Sequence, residues 1–171
     1  LPNESAPFRG KVNHSGYVGH TWVGYPHVEN PASLDMDPMG RIFVAEANRF
    51  WFGVPDLRRA REMIRGDFQA RTIEDRLAMY DKHADKRDRA WYTQTPDRLI
   101  RLEDRDGNGV ADYRTLFSDA FKEPLDGIGF SILAERNATY FTCIPALRKL
   151  TDPDDDGVAD TNDKIVNGFG V

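Results

Sequence analysis

The chain has 171 residues, with 23 Lys+Arg against 28 Asp+Glu, a net charge of −5 and a single cysteine. That length can bury a core without cross-links, and one cysteine excludes an internal disulfide. The acidic balance argues against nucleic acid as a partner, and no run of about 18 apolar residues offers a membrane span.

Residues 1–29 read as an N-terminal arm. Its stretch from Asn13 to Trp22 is polar, aromatic and Gly-rich, suited to wrapping a domain or supplying a closing strand. The histidines, His14, His20, His27 and His83, include no pair at the i, i+4 spacing of a helical zinc site.

From residue 30 onward, short apolar segments alternate with turns. Ser33–Asp37, the turn Pro38-Met39-Gly40, and Arg41–Ala47 predict strand, turn, strand. An insertion over about 50–97 follows, and it carries two helical patterns. Asp56 is placed to cap a helix with Leu57, Ala60, Met63 and Ile64 on one face, ending near Gly66. Thr72 with Asp75 resembles a capping box ahead of Ile73, Leu77 and Tyr80. Basic and acidic side chains nearly balance there, which reads as a solvated helical hairpin packed on the domain by its apolar stripe. Arg98–Leu102 and Tyr113–Phe117 predict two further strands, and Gly127–Ile132, Thr139–Ile144, Ala146–Leu150 and Lys164–Val166 predict another four. Cys143 falls in one of these strands and reads as a small buried apolar residue.

Two aspartate loops interrupt this series. Residues 104–112 read Asp-Arg-Asp-Gly-Asn-Gly-Val-Ala-Asp, and residues 152–160 read Asp-Pro-Asp-Asp-Asp-Gly-Val-Ala-Asp. Oxygen side chains stand at positions 1, 3, 5 and 9: Asp104, Asp106, Asn108 and Asp112, then Asp152, Asp154, Asp156 and Asp160. Position 6 is Gly in both, where the chain turns sharply, and position 7 is Val110 or Val158, offering a backbone carbonyl. This spacing wraps a hard cation in oxygen ligands, and several protein oxygens on a flexible loop suit Ca²⁺ better than Mg²⁺. An EF-hand would place Glu at position 12; here that position is Thr115 or Asp163, so only the second loop is completed in sequence and the first is expected to bind more weakly. Asp/Gly-rich turns occur without ions, but two copies sharing Gly-Val-Ala-Asp favour two structural Ca²⁺ sites. Nine aspartates lie in the two loops, and without them the chain would carry +4.

The loops are 48 residues apart, and each is flanked by strands, so each joins a hairpin rather than two helices. Four strands per unit with a period in the forties is the pattern of a β-propeller blade. The expected fold is mainly β, built of four-stranded antiparallel propeller blades, with a helical insertion in the first. Blade 1 spans about 30–120 and blade 2 about 124–171. Two blades cannot close a propeller, which needs about four or more, so the expected partner is the remainder of a larger propeller. Strand ends converge on the mouth of a propeller channel, which makes Glu46, Asn48, Arg49 and Asp126 pocket candidates, although the same residues suit turns and ion pairs.

The order of segments also resembles a known family. Asn30-Pro31-Ala32-Ser33-Leu34-Asp35, Gly40–Ala47, Ile73-Glu74-Asp75-Arg76, Leu125-Asp126-Gly127-Ile128, Thr142–Leu147, both aspartate loops and Gly168-Phe169-Gly170-Val171 are similar to the N-terminal part of calcium-decorated propellers in large secreted planctomycete proteins. Those are the membrane-bound dehydrogenase-like or haem-binding propeller proteins, distantly similar to soluble quinoprotein glucose and sorbosone dehydrogenases. The resemblance implies an extracytoplasmic oxidoreductase acting on sugars or other alcohols, with pyrroloquinoline quinone or haem as electron carrier in the full-length protein. The catalytic residues it implies lie in a His-bearing stretch following Gly-Phe-Gly, outside this chain, so the chain by itself is expected to be inactive. The alternative is a non-enzymatic, calcium-stabilised scaffold binding carbohydrate or protein.

Overall fold

Two four-stranded antiparallel sheets carry the structure, a computed structural model that describes residues 19–169. The first contains β1 (Pro31–Met36), β2 (Ile42–Glu46), β3 (Asp97–Glu103) and β4 (Tyr113–Phe121), in that spatial order. The second repeats the order with β5 (Gly129–Ala134), β6 (Thr139–Cys143), β7 (Ala146–Thr151) and β8 (Thr161–Asn167). The two sheets do not form a closed ring. No helix among the described residues is long and apolar enough to cross a membrane.

Chain order becomes spatial order because, within each sheet, every connection except that between β2 and β3 is a local turn or loop. Asp37 makes the β1–β2 turn: its buried carboxylate accepts from Met39 N (2.9 Å) and Arg41 N (3.0 Å), and pairs with Arg41 Nε (2.5 Å). Gly40 takes a φ of +83° in that turn, a conformation that favours glycine.

Between β2 and β3 lies the helical insertion, with a single turn α1 (Arg49–Phe52) and two longer helices, α2 (Ile64–Gln69) and α3 (Ile73–Lys82). The capping box is present: Thr72 Oγ1 accepts from Asp75 N (3.1 Å), and Asp75 Oδ2 accepts from Thr72 N (3.1 Å). The first helix departs from expectation. Asp56 caps a turn rather than a helix, and α2 begins eight residues later and runs through Gly66. Gly66 is tolerated inside the helix because Met79 of α3 sits against it, where a Cβ would lie 2.8 Å from Met79 Cγ. Ala60, Met63 and Met79 form the core of this hairpin, with Leu57 and Tyr80 against them.

The main core lies between the sheets. Phe43, Ala45, Leu99, Phe117 and Phe121 of the first sheet meet Ala134, Phe141, Cys143 and Leu150 of the second. Phe43 and Phe117 meet edge-on at 5.0 Å, and Phe121 approaches Phe141 at 4.6 Å. Phe141 also lies so close to Gly129 that a Cβ there would be 2.2 Å from its ring, so this approach requires glycine. The opposite face of the first sheet, with Val44, Ile100 and Leu102, is covered by Trp22, Val23 and Val28 of the arm. A central strand buried on both faces explains the unbroken apolar run Ile42-Phe43-Val44-Ala45.

Strand register makes the repeat exact enough to name equivalent residues. Ile42 pairs with Leu102, and Thr139 pairs with Leu150, 48 residues after Leu102. By the same register Val44 corresponds to Phe141, Phe43 to Tyr140, Leu99 to Leu147 and Arg101 to Lys149.

Candidate metal centre

Each aspartate loop folds by the same backbone contacts. Position 6 donates to position 1: Gly109 N to Asp104 Oδ2 (2.8 Å) and Gly157 N to Asp152 Oδ2 (2.9 Å). Position 7 donates to position 5: Val110 N to Asn108 Oδ1 (2.9 Å) and Val158 N to Asp156 Oδ1 (2.8 Å). Gly109 and Gly157 hold φ values of +85° and +91°, where a Cβ is strained. These contacts close both loops into the same tight turn.

The surroundings then diverge. In the first loop, Asp104 accepts from the backbone of Gly107, Asn108 and Gly109, and these N–H groups, Gly109 first, hold its carboxyl below the ordinary 3.8. Asp112 turns back to accept from Arg105 N (2.8 Å). In the second loop, Asp152, Asp154 and Asp156 bring carboxylate oxygens within 4.8 Å of one another, the one such acidic group among the described residues. Asp152 is the buried member, its side chain 7 % exposed, and burial raises its pKa. Its Oδ1 is buried and has no hydrogen-bond partner. Asp163, expected to complete this site, lies in β8 opposite Lys149; it and Asp160, which precedes β8, stand outside the acidic group.

The second loop is also pressed against the first sheet. Ala159 N donates to Phe117 O (2.8 Å), and Thr115 stands so close to Gly157 that a Cβ there would meet Thr115 Oγ1 at 2.7 Å. Thr115, the twelfth residue of the first loop, therefore faces the second one, and its Oγ1 is buried without a partner. Arg101, 2 % exposed, reaches Asp152 Oδ2 (2.9 Å), Asp155 Oδ1 (2.8 Å) and Glu103 Oε1 (2.8 Å), while Arg41 pairs with Asp155 from the β1–β2 turn. Sequence reading did not anticipate Arg101 or Thr115 here. The visible signal was a lone arginine in the apolar run Leu99-Ile100-Arg101-Leu102, since a buried charge in a central strand needs a partner across the sheet.

The donor set fits a hard cation: three clustered carboxylates, a buried oxygen lacking a partner, and the tight glycine turn. Asp152, Asp154 and Asp156 are the residues that would hold it.

The pocket candidates lie at the opposite end of the sheets, where Glu46, Arg49 and Asp126 are buried and Asn48 is half-buried. Glu46 accepts from Glu29 N (2.7 Å) and pairs with Arg98 Nε (2.8 Å); the Asn48 amide lies between Asn30 and Arg98. Arg49 is wholly buried and donates to the carbonyls of Tyr92 (2.7 Å), Gly53 (3.2 Å), Glu123 (3.2 Å) and Asp126 (2.9 Å). Asp126 pairs with Arg148 Nη2 (3.1 Å), and burial raises its pKa against that pairing. It also borders a cavity of about 130 Å³ lined by Ile73, Arg76, Tyr80 and Ile144. Asp97, unremarked in sequence, joins the sheets here by accepting from Arg49 N (2.7 Å) and from Gly129 N (2.7 Å). Cys143 is buried beside them, and burial pushes its thiol pKa up to about 12.

A family model described as a domain of unknown function, DUF7133, matches residues 13–171. The chain belongs to the DUF7133 family. The match covers both sheets, both aspartate loops and the insertion. Comparison with curated proteins and with solved structures finds no match.

Proposed function

We propose that this DUF7133 chain is a calcium-stabilised stretch of β-propeller, each sheet a blade and each aspartate loop a Ca²⁺ hairpin, within an extracytoplasmic oxidoreductase acting on sugars or other alcohols. The observation that carries the metal reading is the carboxylate cluster Asp152, Asp154 and Asp156, with a buried Asp152 oxygen that no protein group satisfies. Such an oxygen costs about 1–3 kcal/mol unless something pairs with it, and a divalent cation is the partner that three converging carboxylates attract. The blade reading is supported by the repeated β1-to-β4 and β5-to-β8 order and by the packing of one sheet face on the next. Its partner is the remainder of the propeller. The redox reading rests on the family resemblance, in which quinone or haem would supply the electron-accepting chemistry.

One observation favours the second reading, a non-enzymatic scaffold that binds carbohydrate or protein. Arg49, Glu46 and Asp126 are occupied by internal bonds and present little free chemistry to a ligand.

Thermal melts in calcium and in chelator test the metal. At a free calcium concentration of about 100 times Kd the gain is about 2.7 kcal/mol. For a domain of this size that corresponds to a rise of about 5–10 °C in Tm. Coincident melts, with no terbium luminescence sensitised from the protein, would overturn the metal reading. Dye-linked sugar oxidation by the full-length protein, with and without added quinone, separates enzyme from scaffold: turnover supports the first, and none under either condition supports the second.

A further inference from the structure

The two sheets share one mode of stacking, and the arm reproduces a part of it. Where the second sheet meets the first, the eighth residue of its loop, Ala159, donates to Phe117 O of the outer strand β4 (2.8 Å). Where the first sheet meets the arm, the eighth residue of its loop, Ala111, donates to Trp22 O (3.0 Å). Two residues before each accepting carbonyl, a side chain lies over the loop glycine: Thr115 over Gly157 and His20 over Gly109, where a Cβ would be 2.7 and 3.6 Å from the respective side chain. The apolar contacts match as well. Trp22 packs against the cluster of Val44, Ile100, Leu102 and Ala111; all but Ile100 have apolar counterparts, Phe141, Leu150 and Ala159, in the core that holds Phe117. Residues 20–22 thus stand to the first sheet as residues 115–117 stand to the second.

What the arm leaves open is equally regular. On the second sheet, Ile132 and Ala134 of the inner strand are packed against the first sheet. Their register counterparts on β1 are Leu34 and Met36, and these are 66 % and 60 % exposed. An outer strand alone covers the outer half of a neighbouring sheet. The inner half is covered, in the pair that is complete, by the remaining strands of the same unit. At the other end, Tyr140, Thr142, Leu147 and Ile165 line an apolar groove of about 280 Å³ on the second sheet. They correspond to Phe43, Ala45, Leu99 and Phe117, the face of the first sheet that the second one covers. The two open faces are therefore the two halves of one repeated interface.

We propose that residues 19–23 are the outer strand of a four-stranded sheet whose other three strands, from the same polypeptide, lie over Leu34 and Met36, so that the arm closes a ring of such sheets. This rests on the propeller reading, and it assigns the closure to named residues.

The test is thiol labelling of the intact protein carrying Cys143→Ser with either Leu34→Cys or Ile165→Cys. Both new thiols are expected to react with a maleimide at least about 50-fold more slowly than in denaturant, as for sites that open only by local unfolding. Removal of residues 1–23 then accelerates the Leu34→Cys thiol about tenfold or more and leaves the Ile165→Cys thiol unchanged. Should that truncation not fold, Trp22→Ala replaces it, with an expected acceleration of several-fold at Leu34→Cys alone. Fast labelling at Leu34→Cys with protection at Ile165→Cys overturns the closing strand and leaves the propeller reading standing. Fast labelling at both overturns the two together. Protection at Leu34→Cys that disappears on dilution assigns the covering strands to a second copy and overturns closure within one chain. Protection unaffected by loss of the arm, or by Trp22→Ala where the truncation does not fold, also overturns the proposal.

Discussion

The two aspartate loops have nearly the same sequence and opposite electrostatic situations. The first is held largely by its own backbone: Asp104 accepts from three N–H groups and Asp112 from Arg105 N. The second buries Asp152 against a neighbouring sheet, supplies one of its oxygens with an arginine from that sheet, and leaves the other oxygen without a protein donor. The difference arises from what each loop packs on. The arm beside the first loop offers backbone and aromatic surface, whereas the strand pair beside the second offers Arg101 and Thr115. A spacing motif sets the turn of the loop; the neighbouring element decides how deeply its oxygens are buried.

Removing Arg101 breaks this comparison most directly. In chelator, Arg101→Met leaves buried Asp152 without its counter-charge and is expected to cost about 3–5 kcal/mol, read by urea unfolding. Its register counterpart in the second sheet is Lys149, partly exposed, and Lys149→Met should cost under about 1 kcal/mol. Equal losses would mean that Arg101 does not hold the sheets together. Added Ca²⁺ should recover part of the Arg101→Met loss, because the cation takes over the neutralisation.

The loop glycines come next. Both Gly109→Ala and Gly157→Ala put a Cβ at positive φ, at a cost of about 1 kcal/mol each. Only at Gly157 does that Cβ also collide with Thr115, adding about 1–3 kcal/mol of overpacking. The combination with Thr115→Ala should therefore relieve Gly157→Ala and leave Gly109→Ala unaffected; additive losses in the first pair would refute the contact.

Much of this was legible in sequence, for reasons that also mark what was not. The eight strands follow from short apolar runs bounded by Gly, Pro and Asp, and the equal ends Gly-Val-Ala-Asp revealed the repeat. The α3 capping box was readable because Thr72 and Asp75 act on backbone three residues away. The start of α2 was not, because Gly66 stands inside that helix to make room for Met79 of another one. The same limit applies to the site. Asp152, Asp154 and Asp156 are local, but the reach of Thr115 and Arg101 to a loop about 40–50 residues on depends on how sheets stack, which no local spacing encodes.

At the opposite end, the same two sheets are joined without loop acids, through Asp97. Asp97→Asn removes an acceptor shared by Arg49 N and Gly129 N and should cost about 1–2 kcal/mol at pH 7. Burial, opposed by those N–H groups, raises the Asp97 pKa above its ordinary 3.8. A group whose folded pKa is raised takes up a proton on folding, so its stabilisation is complete below 3.8 and declines as pH rises through the folded value. The native chain should thus gain on Asp97→Asn as pH falls from 7 toward 4.5, measured as a widening gap in urea midpoints. A gap that narrows on acidification would show that the carboxylate, not burial, dominates this junction.

The smallest effect separates the sheets by a single station. Cys143 in β6 occupies the register position of Glu46 in β2, and Ala146 occupies that of Arg98. In the first sheet the pair is an ion pair between buried Glu46 and Arg98. In the second, no cation stands opposite, and burial drives the thiol pKa to about 12, with Asp126 and Asp97 adding to the rise. At pH 8 the thiolate, which is the reactive form, is then scarce, and the sulfur is also enclosed. Native protein should leave a chromogenic disulfide reagent unreacted over an hour, while denatured protein consumes one equivalent at once. Rapid stoichiometric reaction of the folded chain would mean that this station is open, and that the two sheets pack their inner ends differently from one another.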